Sequence, residues 1–101
     1  MKKIFIAAFM FVSTFGTNVM ADGHAIKMGI ILGFTGPIES LTPAMRDSAK
    51  LAFEEASASG SLLGGKKITV LEADSTCVDS AAATAAAEGL ISQGVAAIMG
   101  A

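Results

Sequence analysis

The sequence predicts an α/β fold, a parallel β-α-β-α-β unit that begins a doubly wound sheet. Three short apolar runs, starting at Ile26, Lys67 and Val95, are each followed by glycine or other turn-forming residues. Two helical segments lie between these runs and are long enough to connect parallel strands. Because such connections are right-handed, we expect the helices to cover both faces of the sheet.

The first 21 residues are expected to form a cleaved secretory signal peptide. Lys2 and Lys3 provide the charged start, and residues 4–15 form an apolar segment too short to span a membrane. Val19-Met20-Ala21 resembles a cleavage site, with an uncleaved anchor helix as the alternative. Cleavage would export residues 22–101, which are enough for one small domain at most.

Composition limits both the partners and the core. Without Lys2 and Lys3 the chain carries five basic and nine acidic residues, a net charge of −4 that favours neither nucleic acid nor an anionic membrane. Only Phe34 and Phe53 are aromatic after cleavage, which is a thin core for a free-standing domain. The thin core and the single cysteine together predict that the chain is the N-terminal part of a longer protein.

The first strand begins at Ile26 and is almost entirely apolar, as is typical of a strand buried on both faces. Gly33, Gly36 and Pro37 then take the chain away from the sheet into a polar loop that ends at Thr42. In open α/β sheets, small ligands bind at this carboxyl edge.

A first helix is predicted from Thr42 or Pro43 to Ser59, with Thr42 as its cap and Gly60 as its stop. Apolar side chains recur at helical spacing and are expected to face the sheet: Met45, Ala49, Ala52, Phe53 and Ala56. The charged residues off this stripe are expected to face solvent: Arg46, Asp47, Lys50, Glu54 and Glu55.

The second half of the unit follows a glycine-rich turn at residues 60–65. Lys67–Asp74 predicts the second strand, a second helix runs from Ala81 to about Gln93, and Val95–Met99 predicts a third strand after Gly94. The expected cap of the second helix is Asp79 or Ser80, and its expected packing residues are Ala82, Ala86, Leu90 and Ile91.

Two nucleotide-binding motifs are excluded. Gly60-x4-Gly65-Lys66-Lys67 lacks the Ser or Thr that follows a P-loop lysine, and it connects a helix to a strand rather than a strand to a helix. Gly29, Gly33 and Gly36 have the wrong spacing for a dinucleotide fingerprint. We therefore predict no nucleotide cofactor.

No catalytic or metal-binding set is predicted either. The loop serines at positions 40, 75 and 80 have no histidine partner except His24, which is expected to be solvated near the new N-terminus. Glu72 and Asp74 share one face of a strand and are interpreted as the polar exit of that strand, rather than as an acid/base or metal-binding pair.

Cys77 has no neighbouring histidine or cluster of cations to activate it as a nucleophile. A buried thiol and a disulfide to a cysteine beyond Ala101 both remain open. Export favours the disulfide.

The order and spacing of several segments resemble the type I periplasmic binding proteins over the whole mature chain. The segments are Leu-Gly-Phe-Thr-Gly-Pro at 32–37, Leu-Ala-Phe-Glu-Glu at 51–55, Gly-Gly-Lys-Lys at 64–67 before Ile-Thr-Val-Leu-Glu-Ala-Asp, and Ala-Ala-Ile-Met-Gly at 96–100. Within that family the chain is most similar to the leucine/isoleucine/valine-binding branch. The resemblance implies two α/β lobes joined by a hinge, with residues 22–101 as the N-terminal part of the first lobe.

The resemblance also implies which residues meet a ligand. Leu41 stands where the branched-chain branch often has an aromatic side chain against the ligand, and Ser40 and Glu39 are the neighbouring candidates. The main pocket residues would follow Ala101. Cys77 stands where many members have a cysteine that is bridged to another cysteine shortly after the third strand.

The implied function is the periplasmic solute-binding component of an ABC importer, with no catalysis and no cofactor. The implied ligand is an amino acid, with branched-chain amino acids as the leading class, or a related small amide or carboxylate. The implied partner is an inner-membrane ABC permease, and signalling to a membrane receptor is a second binding role. The alternative from another class is an exported α/β enzyme whose catalytic residues lie downstream.

Overall fold

The computed structural model describes residues 25–100. Along the chain they form β1 (Ile26–Leu32), α1 (Thr42–Ala58), a short 3₁₀ turn (Leu62–Gly64), β2 (Ile68–Asp74), α2 (Ser80–Ser92) and β3 (Ala97–Gly100). The predicted signal peptide and His24 lie outside the described residues. Within residues 25–100, neither helix combines the length and the apolar character needed to cross a membrane.

All three strands are parallel, as the sequence predicts, and their order in the sheet is β2-β1-β3. The most apolar strand, β1, is therefore the central one. Its residues Ile30, Ile31 and Leu32 are buried, and together with Leu90 of α2 they form the core of the described chain.

The two helices cover opposite faces of this sheet. Lys50 of α1 forms an ion pair of 3.1 Å with Glu72, whose register partner on β1 is Ile30. Leu90 of α2 lies over Gly29, where a Cβ atom would be only 2.8 Å from Leu90 Cδ1. Successive residues of a strand face opposite sides of the sheet, so the helices lie on different sides. The predicted doubly wound arrangement is confirmed.

The face that α1 turns toward the sheet matches the predicted stripe at Ala49, Phe53 and Ala56 and differs from it at two positions. Met45 is 50% exposed and Ala52 is also exposed, although both were expected to face inward. Arg46 and Lys50, expected to face solvent, are half-buried because both reach Glu72 on β2. The half-buried positions of α1 are Arg46, Ala49, Lys50, Phe53, Ala56 and Ser57.

The start of α1 also differs from the prediction. Pro43 lies in the first turn as expected, but Thr42 does not cap the helix. Its buried hydroxyl has one proton, which lies between two carbonyl oxygens, that of Gly33 at 3.1 Å and that of Glu39 at 3.3 Å. Thr42 therefore ties the helix to the end of β1. At the other end the predicted stop, Gly60, has a φ of +69°.

The cap of α2 is confirmed. Oδ1 of Asp79 accepts hydrogen bonds from the N–H groups of Ala81 at 2.8 Å and Ala82 at 3.3 Å. The third strand begins two residues later than predicted. Val95 N–H still bonds to the carbonyl oxygen of Leu90, which keeps Val95 in the final turn of the helix region.

Packing of α2 against the sheet is confirmed except at one position. Leu90 is 1% exposed, and Ala82 and Ala86 are half-buried. Ile91 is 64% exposed, so its predicted contact with the sheet is wrong. Adjacent helical residues point about 100° apart, and Leu90 already occupies the inward direction.

Candidate ligand-binding site

Two loops leave the sheet at the carboxyl ends of its adjacent strands. The first rim loop, residues 33–41, follows β1, and the second rim loop, residues 75–79, follows β2. The strands are parallel and paired, so both loops lie at one edge of the sheet. We call this edge the rim; it is where the sequence predicts a ligand.

Asp74, the last residue of β2, joins the two rim loops. Its Oδ1 accepts hydrogen bonds from the N–H groups of Phe34 at 2.9 Å and Thr76 at 2.8 Å. Its Oδ2 accepts a hydrogen bond from the hydroxyl of Thr35. Phe34 and Thr35 belong to the first rim loop and Thr76 to the second, so one carboxylate holds both loops.

These donors lower the pKa of Asp74 below its ordinary value. The hydroxyl of Thr35 is the largest cause, followed by the N–H of Thr76, while partial desolvation acts in the opposite direction. The ordinary pKa of an aspartate is about 3.9. The carboxylate therefore stabilises the folded state above that pH, and the contribution is lost as the pH falls through the lower folded pKa.

Replacing Thr35→Val should raise the pKa of Asp74 toward its ordinary value, because valine removes the hydroxyl donor while keeping the branched shape. Carboxyl-detected NMR titration of Asp74 measures the change. Thr35→Ser keeps the donor and should leave the pKa low. An unchanged pKa in the valine variant would show that Thr35 does not hold the carboxylate.

Glycine at two positions allows the rim loops to touch. A Cβ atom at Gly33 would lie 2.6 Å from Cys77 Sγ, and one at Gly36 would lie 2.6 Å from the carbonyl oxygen of Thr76. Gly36 also has a φ of +100°, a region that residues with a Cβ rarely adopt. The two loops can therefore approach each other this closely only because neither position has a side chain.

The predicted ligand contacts Glu39, Ser40 and Leu41 lie together at the end of the first rim loop. All three are exposed, and Leu41 is 61% exposed. Backbone hydrogen bonds from Glu39 N–H to Gly36 and from Leu41 N–H to Ile38 hold this segment as a compact turn. The structure places them at the rim, and their contact with a ligand stays a prediction.

An open cavity of about 340 Å³ lies beside the second rim loop. Its lining residues are Ser75, Cys77, Val78, Asp79, Ser80 and Ala83. The cavity is bounded by the start of α2, and the three predicted ligand contacts do not line it. It is thus separate from the exposed turn of the first rim loop.

Cys77 is exposed at this cavity, so the buried-thiol interpretation is wrong. Its Sγ lies 3.9 Å from the hydroxyl of the buried Ser75. Its φ of +61° and that of Thr76, +59°, both lie in the left-handed region. The predicted disulfide of Cys77 stays a prediction.

The sequence predicts that Asp74 lies at the polar end of the second strand, but it does not predict the hydrogen bonds that Asp74 accepts from the two rim loops. Part of the signal is local, because an aspartate often bonds the N–H group two residues later, as Asp74 does with Thr76. The bonds from Phe34 and Thr35 depend on the pairing of β2 with β1, which local sequence does not specify.

A parallel sheet with helices on both faces and loops gathered at its carboxyl edge is the beginning of an α/β ligand-binding lobe. The family model described as periplasmic binding protein matches residues 25–101. The chain belongs to this family, the type I periplasmic binding proteins, whose members are generally periplasmic and bind solutes. A comparison with curated proteins found no matching relative.

Proposed function

We propose that the chain forms part of the first lobe of a periplasmic solute-binding protein that serves an ABC importer. The rim would form one wall of a cleft, a second lobe would form the other, and closure about a hinge would trap the ligand. The proposed ligand is an amino acid with a branched apolar side chain, or a related small amide or carboxylate.

The observation that carries this proposal is the family match over residues whose adjacent strands end in one exposed rim. The character of the rim supports the ligand class. Leu41 offers an apolar contact, and the exposed carboxylate of Glu39 attracts an ammonium group. Serine hydroxyls and loop N–H groups provide the hydrogen bonds that orient a small polar solute.

Thermal unfolding with a panel of solutes tests the proposal. The purified full-length protein is first unfolded and refolded to remove bound solute. A ligand present at a hundredfold excess over its Kd adds about 2.7 kcal/mol of stability. Leucine, isoleucine and valine should raise the Tm, and calorimetry then gives each Kd. A rise only with purely anionic solutes would exclude the amino acid class, and turnover of any solute would exclude a pure binding role.

Leu41→Ala should weaken binding of leucine about tenfold, because it removes an apolar contact that the ligand would cover. Calorimetry measures the Kd, and the Tm of the ligand-free protein should change little, since Leu41 is exposed. Leu63→Ala is the matched control, because Leu63 is 69% exposed and lies in the 3₁₀ turn before β2, at the amino end of the sheet. Equal affinities in both variants would remove Leu41 from the site.

We further propose that Cys77 is disulfide-bonded in the exported protein, to a cysteine outside residues 1–101. Its exposure on the second rim loop leaves the thiol accessible to a partner. Non-reducing peptide mapping of protein prepared from the periplasm identifies that partner. Recovery of Cys77 as a free thiol under these conditions would contradict the proposal.

A further inference from the structure

The position of the first rim loop depends on a small set of bonds. At its far end, the buried hydroxyl of Thr42 bonds to Gly33 and Glu39. At its near end, Phe34 N–H and the Thr35 hydroxyl bond to Asp74. The second rim loop is held by the same carboxylate, through the N–H of Thr76.

The segment between these anchors behaves as one turn. Backbone hydrogen bonds join Glu39 to Gly36 and Leu41 to Ile38, so the exposed turn is connected through Gly36 to Thr35, its neighbour in the chain. On the other side, Gly36 rests directly against the carbonyl oxygen of Thr76. The carboxylate of Asp74 therefore sets how the exposed turn sits relative to the second rim loop.

The Asp74 carboxylate already bonds to groups of both rim loops. Three protein donors already occupy its two oxygens, and a carboxylate offers about four acceptor sites in all. Its effect on a ligand would therefore act through the loops that it holds.

We infer that Asp74 is a positioning residue: it couples the two rim loops, so that solute affinity at Glu39, Ser40 and Leu41 depends on a side chain that does not contact the solute. This inference rests on the proposed function. It assigns to Asp74 a role in affinity in addition to its role in folding.

The test compares three variants of the full-length protein. Asp74→Ala removes the acceptors of both loops and should weaken solute binding about tenfold or more. Asp74→Asn keeps an oxygen for Phe34 and Thr76, and its amide can donate to the Thr35 hydroxyl, so affinity should stay within about threefold of wild type. Glu72→Gln is the matched control on the same strand and face, and it should bind as wild type.

A separate measurement does not need a ligand. Hydrogen exchange of the Thr76 amide should be faster in Asp74→Ala and near wild type in Asp74→Asn, while the amides of Ile30 and Ile31 stay protected. The Phe34 amide should change less, because it also bonds to the carbonyl oxygen of Leu32 at 3.0 Å. If the wild type binds no solute, the proposed function fails, and the exchange data alone still decide whether Asp74 couples the loops. Unchanged exchange, or wild-type affinity in Asp74→Ala, would overturn the inference.

A second pair of variants covers the case in which Asp74→Ala does not fold. Thr35 is exposed, so its replacement should leave the fold intact. Thr35→Val removes one bond between the first rim loop and Asp74 and should weaken binding about fivefold, while Thr35→Ser should keep the affinity of the wild type. Equal affinities in the valine and serine variants would also overturn the inference.

Discussion

Replacing Gly36→Ala should lower the free energy of unfolding by about 2 to 5 kcal/mol. Two costs add at this position. Its φ of +100° lies in the left-handed region, which costs a residue with a Cβ about 1 to 2 kcal/mol. The new Cβ would also lie 2.6 Å from the carbonyl oxygen of Thr76, and such overpacking costs about 1 to 3 kcal/mol. The oxygen belongs to the backbone and cannot rotate away.

Gly60→Ala separates these two costs. Gly60 also has a positive φ, +69°, but no atom lies within 4 Å of its added Cβ. The Gly60→Ala variant should therefore lose only about 1 to 2 kcal/mol of unfolding free energy, which is the cost of the backbone conformation alone. Urea unfolding followed by circular dichroism gives both free energies. Equal losses in the two variants would show that the contact between the rim loops contributes nothing.

The strands and the cap of α2 could be predicted because their signals are local. β1 is an apolar run followed by Gly33. Asp79 directly precedes α2, and its carboxylate can accept hydrogen bonds from the N–H groups of the first helical turn. The parallel direction follows from the intervening helices, which are long enough for crossover connections. The class of fold therefore depends on patterns that lie within a few residues of each other.

The facing of α1 could be predicted only in part from such patterns. Its apolar residues are mostly alanine, which gains little from burial, so the stripe that includes Met45 and Ala52 does not decide the rotation. The side chains of Arg46 and Lys50 form ion pairs with Glu72, which belongs to β2. This pairing is visible only when β2 is placed beneath the helix.

The same limit applies to the rim. The sequence predicts which loops reach the carboxyl edge, and it places Glu39, Ser40 and Leu41 there. The bond network of Asp74 joins residues about forty positions apart, and it requires β2 to lie beside β1. Long-range pairing of this kind has no signature in a single sequence.

Leu90→Ala should lower the free energy of unfolding by about 3 kcal/mol, within the range of about 2 to 5 kcal/mol for buried leucines. Leu90 is 1% exposed and is the one fully buried apolar side chain of α2 among the described residues. Its neighbours on the helix are mostly small, and Gly29 beneath it has no side chain to move into the space. Ile91→Ala, one position along the helix, should cost less than about 0.5 kcal/mol because Ile91 is exposed.

A double-mutant cycle with Gly29 tests whether this packing is the cause. Gly29→Ala alone should destabilise the protein, because its Cβ would lie 2.8 Å from Leu90 Cδ1. With Leu90→Ala in place that clash is gone, and the new methyl group fills part of the cavity. The double variant should therefore be more stable than the sum of the single losses predicts, by about 1 kcal/mol or more. Strict additivity would mean that α2 does not pack on β1 through this pair, and the predicted covering of that face would fail with it.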